Sequence, residues 1–117
     1  PVDEAIPFIA YVVGEAGQPF LGVGLASVTP QLAGRFELPV DRGAVVIEVF
    51  GGAPGAEAGL RPGDIVITAN GTPIRSREAL IDEIRDAGVG GALDLVVVRI
   101  AEPEALELEI AAVVGER

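Results

Sequence analysis

Few side chains in this sequence can carry out covalent or acid–base chemistry. None of the 117 residues is His or Cys, and all eight basic residues are Arg. The usual general base, the thiolate nucleophile and the Ser–Lys pair are therefore missing, and so are zinc ligands of the His/Cys kind. Serine occurs only at Ser27 and Ser76, outside any nucleophile-elbow sequence, and no pair among the 18 acidic residues stands out by position. We therefore expect a non-catalytic chain with no metal and no cofactor.

The length and composition predict one compact domain. Half of the residues are hydrophobic and only 4% are aromatic, so the core must be built from Val, Ile, Leu and Ala. The net charge of −10 argues against nucleic acid and anionic membrane surfaces as partners. The chain opens at Pro1 without Met and without a basic segment. We therefore expect no signal peptide and interpret the sequence as a piece of a longer protein.

Three segments have helical patterns. Apolar residues at helical spacing over residues 3–15 predict an N-terminal helix. A short helical segment is predicted over residues 30–36, where proline occupies a tolerated first-turn position. The third helix is predicted over residues 76–87, with a serine as its N-cap and a glycine after its end.

The strands are predicted from β-branched and alternating segments between these helices. They cover residues 20–28, 44–50, 64–69, 93–100 and 106–114. The Asn70-Gly71 pair is the strongest signal for a two-residue hairpin turn. Together the elements predict an α+β, mainly β fold: a small, partly open barrel or sandwich capped by helices.

Three stretches, in order along the chain, resemble one known family. Phe20-Leu21-Gly22-Val23 looks like an aromatic–aliphatic–Gly–aliphatic loop that binds a terminal carboxylate. Residues 55–66, GAEAGLRPGDIV, are close to an A-G-L-x-x-G-D-x-I signature. Residues 69–74, ANGTPI, precede the predicted helix at 76–87. On these motifs, which span most of the chain, the sequence resembles the PDZ domain of bacterial HtrA-type (Deg-type) trypsin-like serine proteases.

The resemblance implies a fold and a parent protein. The fold is a partly open barrel or sandwich of five to six strands, capped by two helices, in the bacterial, circularly permuted topology. Residues 1–19 resemble the linker helix that follows the protease domain, which leaves residues 20–117 as the PDZ domain. The implied parent is a serine endopeptidase of protein quality control in the periplasm or cell envelope. Expectations for it include a membrane anchor, a homotrimeric or larger assembly, and contact between this domain and its own protease domain.

The resemblance also implies a binding site for the C-termini of unfolded or substrate proteins. The backbone amides of Leu21, Gly22 and Val23 would bind the terminal carboxylate as an anion nest. Gly22 would permit a loop conformation that a side chain penalises. The peptide would add as a β-strand alongside one stretch of main chain: Val23, Gly24, Leu25, Ala26 and Ser27.

The predicted helix at 76–87 would form the facing wall of this groove. The family register turns Arg77, Ile81 and Ile84 toward the peptide, and Leu80 and Ala87 toward the core. Burying a terminal Val or Leu there would contribute about 1.5–3 kcal/mol, within a total near −8 kcal/mol, which is micromolar affinity. The pocket and specificity residues are then Phe20, Leu21, Val23, Arg77, Ile81 and Ile84.

Arg77 departs from the eukaryotic pattern, in which a His at this position selects a hydroxyl. We expect an Arg to favour an acidic or amide side chain two residues before the peptide's end.

Each motif also has a purely structural interpretation. Residues 20–23 are compatible with a buried strand whose glycine lets two backbones approach. Ile81 and Ile84 would be core residues in any helical packing, and an exposed Arg77 is often only solvated. Asp64 is expected to hold its turn rather than a metal. One acidic cluster is expected to be a solvated strand edge that discourages aggregation: Glu102, Glu104, Glu107 and Glu109.

Three functions remain open at this stage. The first is a ligand-binding module that recruits substrate for, or regulates, a linked HtrA-type protease. The second is a structural or oligomerisation domain whose groove is closed. The third is a PDZ domain of another envelope protease or of a secretion protein. Binding of free but not amidated C-terminal peptides would separate the first from the second.

Overall fold

The computed structural model describes residues 10–11, 19–101 and 104–116, and its main feature is an antiparallel sheet. Seven strands form this sheet in the order β1-β3-β4-β5-β7-β8, with β6 paired to β5, while β2 and β9 form a separate pair. The strands are β1 (Ala10–Tyr11), β2 (Pro19–Phe20), β3 (Val23–Val28), β4 (Gly43–Val49), β5 (Ile65–Ala69), β6 (Thr72–Pro73), β7 (Ala92–Ala101), β8 (Glu104–Val113) and β9 (Gly115–Glu116). The mainly β fold predicted from the sequence, a partly open barrel or sandwich, is confirmed, and the structure shows it as an open antiparallel sheet.

The helices in this part of the chain are α1 (Pro30–Phe36), α2 (Pro54–Ala58) and α3 (Arg77–Ala87). The helix α3 begins after Ser76, whose Oγ accepts a hydrogen bond from the Ala79 amide at 3.2 Å, and ends at Gly88. Both ends were predicted from the sequence. A serine N-cap accepts a hydrogen bond from a free amide of the first turn, and a glycine readily adopts the backbone conformation that ends a helix. None of the described helices is long and apolar enough to span a membrane.

The Asn70-Gly71 hairpin turn is confirmed. Ala69 pairs with Thr72, so these two residues alone join β5 to β6. Their φ angles are 49° and 80°, the pair of positive values that a type I′ turn requires. The Asn70 side chain also bonds to the sheet, accepting from the Asp94 amide at 2.7 Å and donating to the Ala92 carbonyl at 3.2 Å.

The core is aliphatic, as the composition predicts. Every buried hydrophobic residue in the described part of the chain is Leu, Ile, Val or Ala. The main cluster fills the space between α3 and the sheet. In a smaller cluster, Ala33 of α1 packs with Val28 of β3 and Ile65 of β5. At the outer edge of the sheet, Glu104, Glu107 and Glu109 on β8 are exposed, as expected for a solvated edge. Glu102 lies outside the described residues.

One buried ion pair holds the turn before β5. Asp64 is 1% exposed, and its two carboxylate oxygens accept from Arg99 Nε at 2.8 Å and Arg99 Nη2 at 2.7 Å. Its Oδ2 also accepts from the Arg61 amide at 3.0 Å, and Arg99 Nη2 donates to the Gly59 carbonyl at 2.8 Å. These hydrogen bonds to Asp64 raise the pKa of Arg99 above its usual value. The expectation that Asp64 holds its own turn is confirmed.

The predicted N-terminal helix is wrong at two residues. Ala10 and Tyr11 form the short strand β1, which pairs antiparallel with β3. An exposed edge of β3 offers unpaired backbone groups, and their pairing overrides a helical pattern of side chains. The rest of residues 3–15 lies outside the described residues, and the division of the chain at residue 19 stays a prediction.

Removing the carboxylate of Asp64 should destabilise the fold strongly, because Arg99 would be left without its partner at a largely buried position. We expect Asp64→Ala to lower the free energy of unfolding by about 3 kcal/mol, measured by urea denaturation. The exposed Asp41 provides the control, and Asp41→Ala should stay within about 0.5 kcal/mol. Equal effects of the two substitutions would contradict the structural importance of the pair.

Candidate functional site

The carbonyl groups of the loop that connects β2 to β3 accept hydrogen bonds from other parts of the domain. The Leu21 carbonyl accepts a hydrogen bond from the Gly55 amide at 2.9 Å, and the Gly22 carbonyl accepts from the Phe50 amide at 2.9 Å. Gly55 lies in the first turn of α2, where amides have no partner within the helix. The loop therefore satisfies an otherwise unpaired donor of α2 while both of its carbonyls point into the protein.

The amides of the same loop point the other way. In a planar trans peptide the C=O of one residue and the N–H of the next are antiparallel. With the carbonyls of Leu21 and Gly22 turned inward, the amides of Gly22 and Val23 must be directed outward. Among the described residues and outside the strand ladders, no backbone hydrogen bond is donated by Leu21 or Gly22. The geometry is that of successive donors directed to one side, which suits an anion.

Two glycines are required for this geometry. Gly22 has φ +75°, and a Cβ there would overlap the Cβ of Ala53. A Cβ on Gly55 would lie 2.9 Å from a methyl group of Val23 and 3.0 Å from the Leu21 carbonyl oxygen. The positive φ of Gly22 confirms the prediction that the loop needs a glycine at this position. The structure adds Gly55, whose lack of a side chain allows α2 to lie close to the loop.

The strand β3 directs two sets of main-chain groups away from β4. Val23 lies opposite Val49, and the Phe50-to-Gly22 bond beside them shows that this is a non-hydrogen-bonded pair. Leu25 lies opposite Val46, whose amide and carbonyl already bond to Asp64 and Gly63 of the next turn. The N–H and C=O groups of Val23 and Leu25 therefore face the outer edge of β3, where another strand can pair.

That edge is partly occupied by the chain itself. Tyr11 pairs with Gly24 and Ala10 with Leu25, both antiparallel. Because the main-chain groups of Leu25 face outward, Leu25 and Ala10 are the hydrogen-bonded pair of this short ladder. Two of the predicted strand-pairing residues, Gly24 and Leu25, thus pair with an antiparallel strand, which in this structure is β1. Pairing of the whole stretch with a peptide stays a prediction.

The predicted pocket residues come together in or beside the main core cluster. Leu21, Val23 and Ile84 are each 0% exposed and belong to the main core cluster, as does Leu80. Ile81 is partly buried against the same cluster. Phe20 is half-buried at the start of the loop. The structure therefore places the residues of the two walls in contact, and their role in holding a ligand side chain stays a prediction.

Arg77 begins α3 at the end of the groove that lies away from the loop. Its Nε lies 2.7 Å from Glu78 Oε2, and its side chain is 22% exposed. Its backbone amide donates to Ser27 Oγ of β3 at 2.9 Å. This contact between the two walls was not predicted, because nothing in the local sequence links residues 50 positions apart.

A separate apolar cavity of about 300 Å³ lies beside α1. It shares Ser27 with the predicted strand-pairing stretch, but none of its lining residues comes from α3 or from the Leu21–Val23 loop, so it is not the predicted pocket for the last side chain. They are Ser27, Val28, Leu32, Phe36, Leu38, Val45, Val46, Ile47 and Gly63.

Comparison with known proteins identifies this arrangement of loop, strand and helix. A family model described as PDZ domain matches residues 19–110, which is most of the chain. The chain belongs to the PDZ domain family.

The similar proteins are HtrA-type proteases. The periplasmic pH-dependent serine endoprotease DegQ of Escherichia coli K12 is 35% identical over 97 residues, which are 83% of this chain and 21% of that protein. A solved structure of the HtrA-type protease AlgW with decapeptide is 28% identical, with a TM-score of 0.69, over 86% of this chain and 30% of the other. The HtrA3 PDZ domain bound to a phage-derived ligand, FGRWV, is 29% identical, with a TM-score of 0.62, over 87% and 93%. The chain spans about a fifth to a quarter of the length of the curated relatives it matches.

The packing of the loop can be tested with a matched pair of glycines. Gly22 and Gly52 have φ angles of 75° and 78°, but only Gly22 lacks room for a Cβ. We expect Gly52→Ala to cost about 1 kcal/mol of unfolding free energy from backbone strain, measured by urea denaturation. Gly22→Ala should cost at least about 1–3 kcal/mol more because of the added overlap. Equal costs would show that the loop does not pack against Ala53 as described.

Proposed function

We propose that this chain is a peptide-binding module that takes up the C-termini of proteins by β-strand addition. The observation that carries the proposal is the direction of the loop amides. Because the carbonyls of Leu21 and Gly22 bond inward, the amides of Gly22 and Val23 face outward beside the edge of β3. A carboxylate is the group of a peptide that such donors accept best.

The individual roles follow from this arrangement. The amides of Leu21, Gly22 and Val23 hold the terminal carboxylate. The peptide then runs antiparallel to β3 and bonds to the outward groups of Val23 and Leu25, which lie two residues apart as a strand ladder requires. The stretch that pairs with the peptide is Val23, Gly24, Leu25, Ala26 and Ser27.

The last side chain of the peptide enters between β3 and α3. Leu21, Val23 and Ile84 are fully buried in this structure, so the two walls must separate for this side chain to reach them. The apolar character of these walls favours an apolar last residue. The ligand FGRWV of the HtrA3 PDZ domain ends in valine, which supports this choice. Phe20, Ile81 and Arg77 complete the rim of the pocket.

The protein that carries this domain is, in our proposal, a trypsin-like serine endopeptidase. Its relatives are serine endoproteases whose names place them in the periplasm. The domain would recruit unfolded or substrate proteins to the linked protease domain, or regulate that domain, outside the cytoplasm. The domain itself would take no part in bond cleavage, since its sequence contains neither His nor Cys nor Lys.

The carboxylate requirement provides the direct test. We expect the chain to bind a fluorescent peptide that ends in a free Val with a Kd in the micromolar range, measured by anisotropy. The same peptide with an amidated C-terminus is the matched control, and its affinity should fall at least about tenfold because the amide carries no charge. Equal binding of both peptides would contradict C-terminal recognition.

A second candidate is a structural domain whose groove is held closed. The observation that favours it is β1, which already pairs with Gly24 and Leu25 on the edge that a ligand would use. The complete burial of Leu21, Val23 and Ile84 points the same way. The two candidates differ in one respect: whether an external peptide can displace the chain's own strand.

Substitutions at Ala10 test this displacement. Ala10→Pro removes the amide that bonds to Leu25, whereas Ala10→Val keeps it and favours an extended strand. If the peptide competes with β1, Ala10→Pro should raise peptide affinity about two- to tenfold, the value of one hydrogen bond, and Ala10→Val should not raise it. Identical affinities in both variants and the wild type would show that β1 does not compete. Absence of binding in all three would favour the structural role.

A further inference from the structure

A hydrogen bond between distant residues joins the two walls of the groove. Ser27 Oγ on β3 accepts from the backbone amide of Arg77, the first residue of α3, at 2.9 Å. Both residues are partly buried. We call this contact the Ser27 latch.

The latch cannot be explained as an ordinary helix cap. The first amides of a helix have no partner within it, and in α3 the N-cap Ser76 satisfies the amide of Ala79. The amide of Arg77 is satisfied from across the groove instead. The start of α3 is therefore positioned relative to β3 by a side chain of β3.

The latch lies at the far end of the groove from the carboxylate-binding loop. Side chains alternate along a strand, so that of Ser27 lies on the same face of β3 as those of Val23 and Leu25, which pack in the core below α3. Ser27 lies four positions after Val23 along the strand, a distance of about 13 Å. If the last residue of a peptide pairs with Val23, its third-from-last residue pairs with Leu25, which lies two residues before Ser27.

We propose that Ser27 is a positioning residue that sets the width of the groove at this end and so determines how strictly the third-from-last residue of the ligand is selected. This inference rests on the proposed function. The side chain of the third-from-last residue would project between β3 and the start of α3, beside Arg77. With the latch formed, the start of α3 stays at a fixed distance from β3. The last residue is held by the loop and by Ile84, two turns further along α3, and does not depend on the latch.

A matched pair of substitutions isolates the hydroxyl. Ser27→Thr keeps the acceptor oxygen. Ser27→Val introduces a side chain of nearly the same shape as threonine but without the oxygen, and both residues suit a strand. The affinity of each variant would be measured for two peptide series, one varied at the last residue and one varied at the third-from-last among Glu, Gln, Ser and Leu. The exchange rate of the Arg77 amide, measured by NMR, reports the latch directly.

We expect Ser27→Val to reduce discrimination at the third-from-last residue about two- to tenfold and to accelerate exchange of the Arg77 amide. Ser27→Thr keeps the acceptor and should retain the wild-type discrimination at the third-from-last residue. In Ser27→Val the discrimination at the last residue should change less than the discrimination at the third-from-last. Unchanged selectivity in Ser27→Val would overturn the proposal, as would an equal loss at both positions, which would indicate general destabilisation. Failure of the wild type to bind any peptide would overturn the proposed function, and the latch with it.

Discussion

The candidate site depends on two hydrogen bonds that turn the loop carbonyls of Leu21 and Gly22 into the protein. Their donors are the amides of Gly55 and Phe50, which would otherwise need other partners when buried. Because a trans peptide plane directs C=O and N–H to opposite sides, the same two bonds direct the next two amides outward. The anion-binding geometry is thus a consequence of how the body of the domain satisfies its own backbone. No charged side chain is needed in the loop, so a net charge of −10 is compatible with the proposed binding of a carboxylate.

The signature at residues 55–66 is the support of this loop rather than part of the binding surface. Gly55 allows α2 to approach the loop, and Gly59 ends α2 in a left-handed conformation, with φ +99°. Asp64 then connects this turn to β7 through its ion pair with Arg99. A chain from the loop through α2 and the turn to the sheet therefore keeps the loop rigid. The residues that identify the family most clearly are those that position the site, while the proposed ligand-facing groups are mostly main chain and carry little sequence signal.

Local signals predicted most elements correctly, and the contacts between distant residues account for what was missed. The ends of α3 and the Asn70-Gly71 turn follow from chemistry within a few residues. The partnership of Arg99 with a buried acid had a sequence signal. In the alternation of inward and outward residues along β7, Arg99 follows the buried Leu95 and Val97 at an inward position, where a charged group needs a partner. The Ser27 latch had no such signal, since a serine in a strand is compatible with many partners. The strand at Ala10 was missed because the spacing of apolar residues indicates a helix, whereas the unpaired edge of β3 that decides the outcome belongs to another part of the chain.

The outward main-chain groups of β3 suit the proposed peptide binding and, for the same reason, pair with the chain's own strand β1. The outward groups of Val23 and Leu25 are unsatisfied until some strand pairs with them, and exposed strand edges pair with whatever extended segment is near. A tethered segment has a high effective concentration, so even two paired residues can compete with a free peptide of micromolar affinity. What a peptide has in addition is its terminal carboxylate, which β1 cannot offer because the chain continues beyond Tyr11. In the proposed function, the loop amides therefore provide the difference in free energy by which a true C-terminus is distinguished from an internal strand at the same edge.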